Sequence, residues 1–137
     1  MNNIAFNYLY GDSGNYKKQG SLIFRNPDKL SLELFEKTFR REAFSPEGLF
    51  IARQLRVPEV FFYEEGNAGP DDHCFHEFDS VSPTSSAPND AWGRTVRQFL
   101  QEVQREAKRG WLVFDPHAPM NDVYRRHWAA LPFLNDH

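Results

Sequence analysis

The sequence predicts a two-layer α+β domain in which an antiparallel sheet carries two main helices on one face. Segments with the alternating pattern of strands precede each of two segments with helical periodicity, so strands and helices do not alternate one by one. The length of 137 residues fits one domain, with residues 111–137 as a C-terminal extension packed on it. The expected order is ββαββα, for which a ferredoxin-like arrangement is one hypothesis.

The N-terminal segment predicts a β-hairpin. Residues with apolar or aromatic side chains recur at every second position from Asn3 to Tyr10, as in a half-buried strand. The members of this face are Ile4, Phe6, Tyr8 and Tyr10. Residues 11–15 are rich in turn formers, and a second strand follows at Ser21 to Arg25, which Pro27 ends.

A first helix is predicted from Leu32 to Arg41. Ser31 has the side chain of an N-cap, and Glu33 lies in the first turn, where a negative charge favours the helix dipole. A stripe at helical spacing is expected to face the core. It consists of Leu34, Phe35, Thr38 and Phe39.

Two further strands are expected before the second helix. The aromatic and β-branched run Val60 to Tyr63 predicts one, and His76 to Val81 predicts the other. Ser82 to Asn89 has the composition of a linker. The apolar segment Leu49 to Leu55 fits either a short strand or a helical turn.

The longest helix is predicted to begin near Asn89 or Asp90 and to end near Lys108 or Arg109, with Gly110 as its stop signal. Its core face is expected to hold Trp92, Val96, Phe99, Leu100 and Val103. Its basic residues, Arg94 among them, are interpreted as a solvated face. A short amphipathic segment is expected from Asp122 to Leu131.

Charge and cysteine content exclude several functional classes. The net charge of −3 argues against binding of duplex nucleic acid through phosphate neutralisation. Cys74 is the only cysteine, so an intramolecular disulfide is impossible, which favours a reducing compartment. The N-terminal residues lack the pattern of a signal peptide, and no apolar run is long enough to span a bilayer. We therefore expect a cytoplasmic protein without a membrane partner.

Three strings of the sequence resemble a recurring pattern in small uncharacterised bacterial proteins. They are NYLYGDSGNYKKQGSLIFRNPDKLSLELFEK, VPEVFFYEE and DHCFHEFDSV, and the shared core is NYLY-x-D-x-x-NYK with a DHxxHEF-like segment. The resemblance covers roughly Asn3 to Val103. It implies no activity, because no function is attached to the pattern.

The segment from His73 to Asp79 has the highest density of potential catalytic groups: His73, Cys74, His76 and Glu77. On a strand, the side chains of Cys74 and His76 share one face and those of His73 and Glu77 share the other. The pair Cys74 and His76 would need further metal ligands such as His117 or His127, so we predict neither a metal nor a cofactor. A small hydrolase or metal-dependent enzyme centred on this segment is the alternative function.

The first hairpin combines rigid aromatic side chains with cationic ones: Tyr8, Tyr10, Tyr16, Lys17 and Lys18. Such combinations are typical of protein interfaces, although aromatic cross-strand pairs would also stabilise the hairpin itself. No complete catalytic constellation is evident. We therefore predict a noncatalytic protein-binding protein, of a regulatory, accessory or immunity type, with another protein as its partner.

Overall fold

A computed structural model describes residues 3–63 and 67–117. A strand–strand–helix unit occurs twice, which confirms the predicted α+β class, although the third strand is not the segment that was predicted. The elements are β1 (Asn3–Gly11), β2 (Lys17–Arg25), α1 (Leu32–Glu42), β3 (Leu49–Phe50), a 3₁₀ helix (Ala52–Leu55), β4 (His76–Thr84) and α2 (Val96–Arg109).

The four strands form one sheet in the order β2-β1-β4-β3, and every neighbouring pair is antiparallel. Strand β1 is central because both of its edges are paired along most of its length, with β2 from Asn3↔Arg25 to Gly11↔Lys17 and with β4 on the other side. The β1–β4 register shifts between Asn7 and Tyr8, which marks a β-bulge.

The core lies between one face of the sheet and both helices. Phe6 of β1 is fully buried, and its ring centroid lies 5.2 Å from that of Phe39 on α1 and 5.3 Å from that of Phe99 on α2. The ring of Phe99 also stacks on Phe24 of β2 at 4.5 Å. Aromatic pairs at these separations add to the free energy gained from burial alone. The two helices therefore share one aromatic layer with the sheet.

The helix ends follow the capping signals. Ser31 accepts a hydrogen bond from Leu34 N–H, as expected of an N-cap. Helix α2 begins later than predicted, at Val96, where Thr95 and Gln98 form a capping box. It ends at Gly110, whose φ of 106° favours glycine, so the predicted stop is confirmed.

Two predicted elements were wrong and one ambiguity is resolved. Residues 60–63 form no strand, since Val60 N–H donates to the side chain of His76 instead of to a neighbouring strand. The predicted linker continues β4 as far as Thr84. The segment 49–55 contains both of the structures considered for it, the short strand β3 and the 3₁₀ helix.

Two residues predicted to face the core do not do so. Leu34 is 44% exposed, because it lies at the solvent-facing edge of the α1 stripe. Trp92 precedes α2 and is partly exposed, and the guanidinium of Arg56 lies 4.2 Å from its ring centroid. The predicted segment Asp122 to Leu131 lies outside the described residues.

Replacing Phe99 with alanine is expected to lower the free energy of unfolding by about 3 to 5 kcal/mol, through lost transfer energy and the cavity left behind. Phe99 is fully buried. The exposed Leu34 offers a control, and Leu34→Ala is expected to cost under about 1 kcal/mol in the same denaturant titration. Similar losses for both variants would contradict this description of the core.

Candidate functional site

The residues of the enzyme alternative lie at the start of β4, but they do not converge on one site. Cys74 and His76 are buried, whereas His73 and Glu77 are partly exposed. Glu77 pairs in the sheet with Leu9, so its side chain points to the face opposite that of His76. Residues 3–63 and 67–117 contain no group of three or more His, Cys, Asp or Glu placed to hold a metal ion.

His76 is a buried structural histidine. Its Nε2 accepts a hydrogen bond from Val60 N–H at 2.9 Å, and the ring of Phe61 packs edge-on against it at 4.5 Å. Desolvation, with smaller contributions from His73 and Arg53, lowers the pKa of His76 to about 3. Its Nδ1 has no hydrogen-bond partner among the described residues. At neutral pH the ring is therefore uncharged and fixes the path of residues 57–61.

His73 uses both ring nitrogens to hold the chain. Its Nδ1 accepts a hydrogen bond from Phe75 N–H at 3.0 Å, and its Nε2 lies 2.7 Å from the carbonyl oxygen of Gly11. Because Nδ1 accepts, the hydrogen-bond network assigns the proton to Nε2, which donates to Gly11. Both nitrogens are occupied, and the ring ties the end of β1 to the entrance of β4.

The thiol of Cys74 lacks the surroundings of a nucleophile. Burial raises the pKa of this thiol, although a hydrogen bond from the backbone of Phe114 opposes part of the effect. A reactive thiolate needs the opposite, a lowered pKa and an adjacent base. The metal ligands considered with it are also dispersed, since the His117 Nε2 lies 2.6 Å from Gly69 O and His127 is outside the described residues.

Tyr8 and Tyr10 are buried, which corrects the prediction that they belong to a binding surface. The Tyr8 hydroxyl donates to the Pro58 carbonyl at 2.7 Å, and its ring lies across Gly20, where a Cβ would approach Cζ to 2.5 Å. The Tyr10 hydroxyl donates to Asp72 Oδ1 at 2.6 Å. Burial raises the pKa of Tyr8 to about 12, and burial together with Asp72 raises that of Tyr10. Pro58 and Asp72 therefore lie against the two hydroxyl groups, on the buried side of the rings.

The other three predicted binding residues are exposed at the end of the hairpin. Tyr16 is 72% exposed, and Lys17 and Lys18 are also exposed. Neither lysine forms an ion pair with any residue of the described ranges. We call these three residues the hairpin-tip surface.

The backbone beneath the hairpin-tip surface is held in place from two sides. Asp12 Oδ1 accepts a hydrogen bond from Tyr16 N–H at 3.0 Å, and Asp12 N–H donates to the Tyr16 carbonyl at 3.0 Å. Ser13 donates from its backbone to Asp71 O at 3.1 Å and from its hydroxyl to Asp71 Oδ1 at 3.0 Å. These bonds anchor the turn to a segment far along the chain, so the turn is preorganised.

Sequence reasoning missed a buried ion network at the start of α2. Arg94, interpreted as part of a solvated face, is buried and bonds both Asp90 (2.9 Å) and Glu102 (3.1 Å). It also donates to the carbonyl oxygen of Leu55, and Arg56 completes the network by pairing with Glu102 at 2.6 Å. The i,i+4 spacing of Asp90 and Arg94 was the available signal. The network therefore links the end of the 3₁₀ helix to α2 through hydrogen bonds and ion pairs.

No family model, curated protein or solved structure matches the chain. Among the described residues, none of the helices is long and apolar enough to cross a membrane. The fold and the hydrogen bonds described above define an α+β domain in which buried polar side chains hold the loops in place. Its hairpin tip carries an exposed aromatic ring beside two cations.

The buried state of His76 predicts a pH dependence of stability. The folded protein keeps this ring neutral down to about pH 3, whereas the unfolded chain takes up the proton near the ordinary pKa of 6.5. Between these values the unfolded state binds more protons, so the free energy of unfolding falls as the pH is lowered, by up to about 1.4 kcal/mol per pH unit from this group. His76→Gln should show a shallower fall in denaturant titrations, and parallel curves would contradict the assignment.

Removing Arg94 is expected to destabilise the fold strongly. Arg94→Met leaves the buried carboxylate of Asp90 without its cation and removes one of the two cations that pair with Glu102, which is expected to cost about 3 to 5 kcal/mol in thermal or denaturant unfolding. Arg97 gives a matched control, because its side chain is 52% exposed where it pairs with Asp28. Arg97→Met should cost under about 1 kcal/mol. Equal effects of the two substitutions would refute the structural role of the network.

Proposed function

We propose that the protein is a noncatalytic protein-binding protein with a regulatory or accessory role, a class that includes immunity-type proteins, and that it acts in the cytoplasm. The hairpin-tip surface is the proposed site of partner binding. The observation that carries the proposal is the exposure of Tyr16, at 72%, on a turn anchored by Asp12 and Asp71.

An exposed tyrosine on a preorganised turn suits recognition for an energetic reason. Its ring contributes a large contact area, and few side-chain rotations are lost on binding. Because the hydrogen bonds of Asp12 and Ser13 already fix the backbone, binding orders little further chain. Most of the favourable contact energy of the ring is therefore available for affinity.

The lysines suggest the charge of the partner. Lys17 and Lys18 stand beside Tyr16, while the nearby carboxylates of Asp12 and Asp71 accept hydrogen bonds within the turn. The protein as a whole has a net charge of −3, and these two exposed lysines add positive charge at the hairpin end. A partner with an acidic surface would be steered toward the tip and away from the rest of the molecule.

The string NYLY-x-D-x-x-NYK, which carries the resemblance to small bacterial proteins, contains most of the proposed binding residues. In this chain the string begins at Asn7 and ends with Tyr16 and Lys17, and it includes Asp12. The string therefore includes the aromatic ring of Tyr16, the cation of Lys17 and the Asp12 carboxylate that holds the turn.

Tyr16→Ala is expected to weaken partner binding by more than about 1 kcal/mol, or roughly fivefold, while leaving the melting temperature nearly unchanged. The partner would be captured with the unmodified protein from lysate of the native host, identified by mass spectrometry and purified. Affinities would then be compared by isothermal titration calorimetry.

Leu34→Ala is the matched control for this experiment, because Leu34 is another exposed apolar side chain and lies on α1, away from the hairpin. It should leave the affinity unchanged. If Tyr16→Ala lowers stability and preserves affinity, the hairpin is a structural element and the proposed interface is wrong.

A further inference from the structure

Strand β2 forms one edge of the sheet, and residues 3–63 and 67–117 pair with only half of that edge. Ile23 N–H donates to Asn89 Oδ1 at 2.7 Å, and Asn89 N–H donates to the Ile23 carbonyl at 3.1 Å. Two residues further along, Arg25 forms a parallel bridge with Thr95. The C-terminal half of β2 therefore already pairs with an extended segment outside the sheet.

The N-terminal half of the same edge is not paired with any of the described residues, and we call it open in this sense. In an antiparallel pair, alternate residues direct their backbone groups to the same side. Ile23 directs its groups away from β1, so Ser21, Gln19 and Lys17 do the same. No hydrogen bond from the described part of the chain reaches the outward N–H and C=O groups of these three residues. The open stretch of residues 17–21 is roughly 17 Å long at the usual rise of a strand.

The charges along this stretch favour one kind of occupant. Lys17 and Lys18 are exposed and without ion pairs in the described ranges, and neither Gln19 nor Ser21 carries a charge. A second copy of β2 would bring two more lysines to the same short seam, and lysines on edge strands disfavour such self-pairing. A strand with carboxylates would neutralise the lysines and satisfy the open backbone groups at once.

We propose that residues 17–21 of β2 accept an extended acidic segment of the partner as an added strand of the sheet. This inference rests on the proposed function and specifies how the partner is recognised. Main-chain hydrogen bonds supply affinity in strand addition, and side-chain contacts supply specificity. Tyr16 and the two lysines provide those contacts at the end of the open stretch.

The inference is tested with a synthetic peptide of about seven residues that alternates valine and glutamate, long enough to cover the open stretch. A valine–lysine peptide of equal length is the charge control. Binding is measured by fluorescence anisotropy up to about 1 mM peptide. Amide hydrogen exchange of Gln19 and Ser21 in the unmodified protein, with and without peptide, reports whether backbone bonds form.

We expect the acidic peptide to bind, the basic peptide to fail, and exchange at Gln19 and Ser21 to slow by about tenfold or more. Gln19→Pro removes one outward N–H at an edge position where proline is tolerated, and it should weaken binding about tenfold. Gln19→Thr keeps the N–H and should bind nearly as the unmodified protein does. The exchange measurement decides the question even if Gln19→Pro does not fold.

Two results would overturn strand addition. One is absence of acidic-peptide binding, and the other is binding without any change in exchange at Gln19 and Ser21. Neither result touches the proposed function, which depends on the effect of Tyr16→Ala on the captured partner. If that partner binds through Tyr16 while the two amides exchange freely, the interface is made by side chains at the hairpin-tip surface alone.

Discussion

The packing around Phe6 is the constraint on which the rest of the structure depends. Aromatic rings from β1, β3, β4 and both helices surround it, with the nearest centroid at 5.2 Å. In a close-packed protein interior, voids and unpaired polar groups are both energetically costly. Along β1, the face of the sheet that points to the helices is therefore buried in the core. The surfaces left for recognition are the hairpin end, the strand edges and the opposite face of the sheet.

The buried polar groups are explained by the same constraint. Arg94, with its carboxylate partners, closes the junction between the 3₁₀ helix and α2, and the Tyr10–Asp72 bond closes the junction between β1 and the loop before β4. The side chains of Arg94, Tyr10 and Asp72 are all hydrogen-bonded, which offsets the cost of removing their polar atoms from water. Both ring nitrogens of His73 and the Nε2 of His76 bond to backbone groups, so the two histidines hold similar junctions of the chain.

The hairpin tip and the open half of β2 are continuous, because Tyr16 directly precedes the strand that begins at Lys17. A partner that contacts the aromatic ring would meet the open backbone groups of Gln19 about 10 Å further along the extended chain. The molecule as a whole is acidic, so the two exposed lysines at this end differ in charge from the average of its surface. Such differences in charge affect the rate and orientation of the encounter with a partner more than the affinity of the complex.

The sequence by itself determined β1, the position of β2, helix α1 and the end of α2, because alternation, caps and a terminal glycine act over a few residues. It also marked Tyr16, Lys17 and Lys18 as hairpin residues. Only the tertiary structure decided that Tyr8 and Tyr10 are buried, since their covering groups, Pro58 and Asp72, lie 50 and 62 residues away. The same holds for Arg94, whose role depends on Leu55, 39 residues away. Local sequence patterns specify helices and strands. Whether a side chain is buried depends on which segment, distant in sequence, packs over it and excludes water.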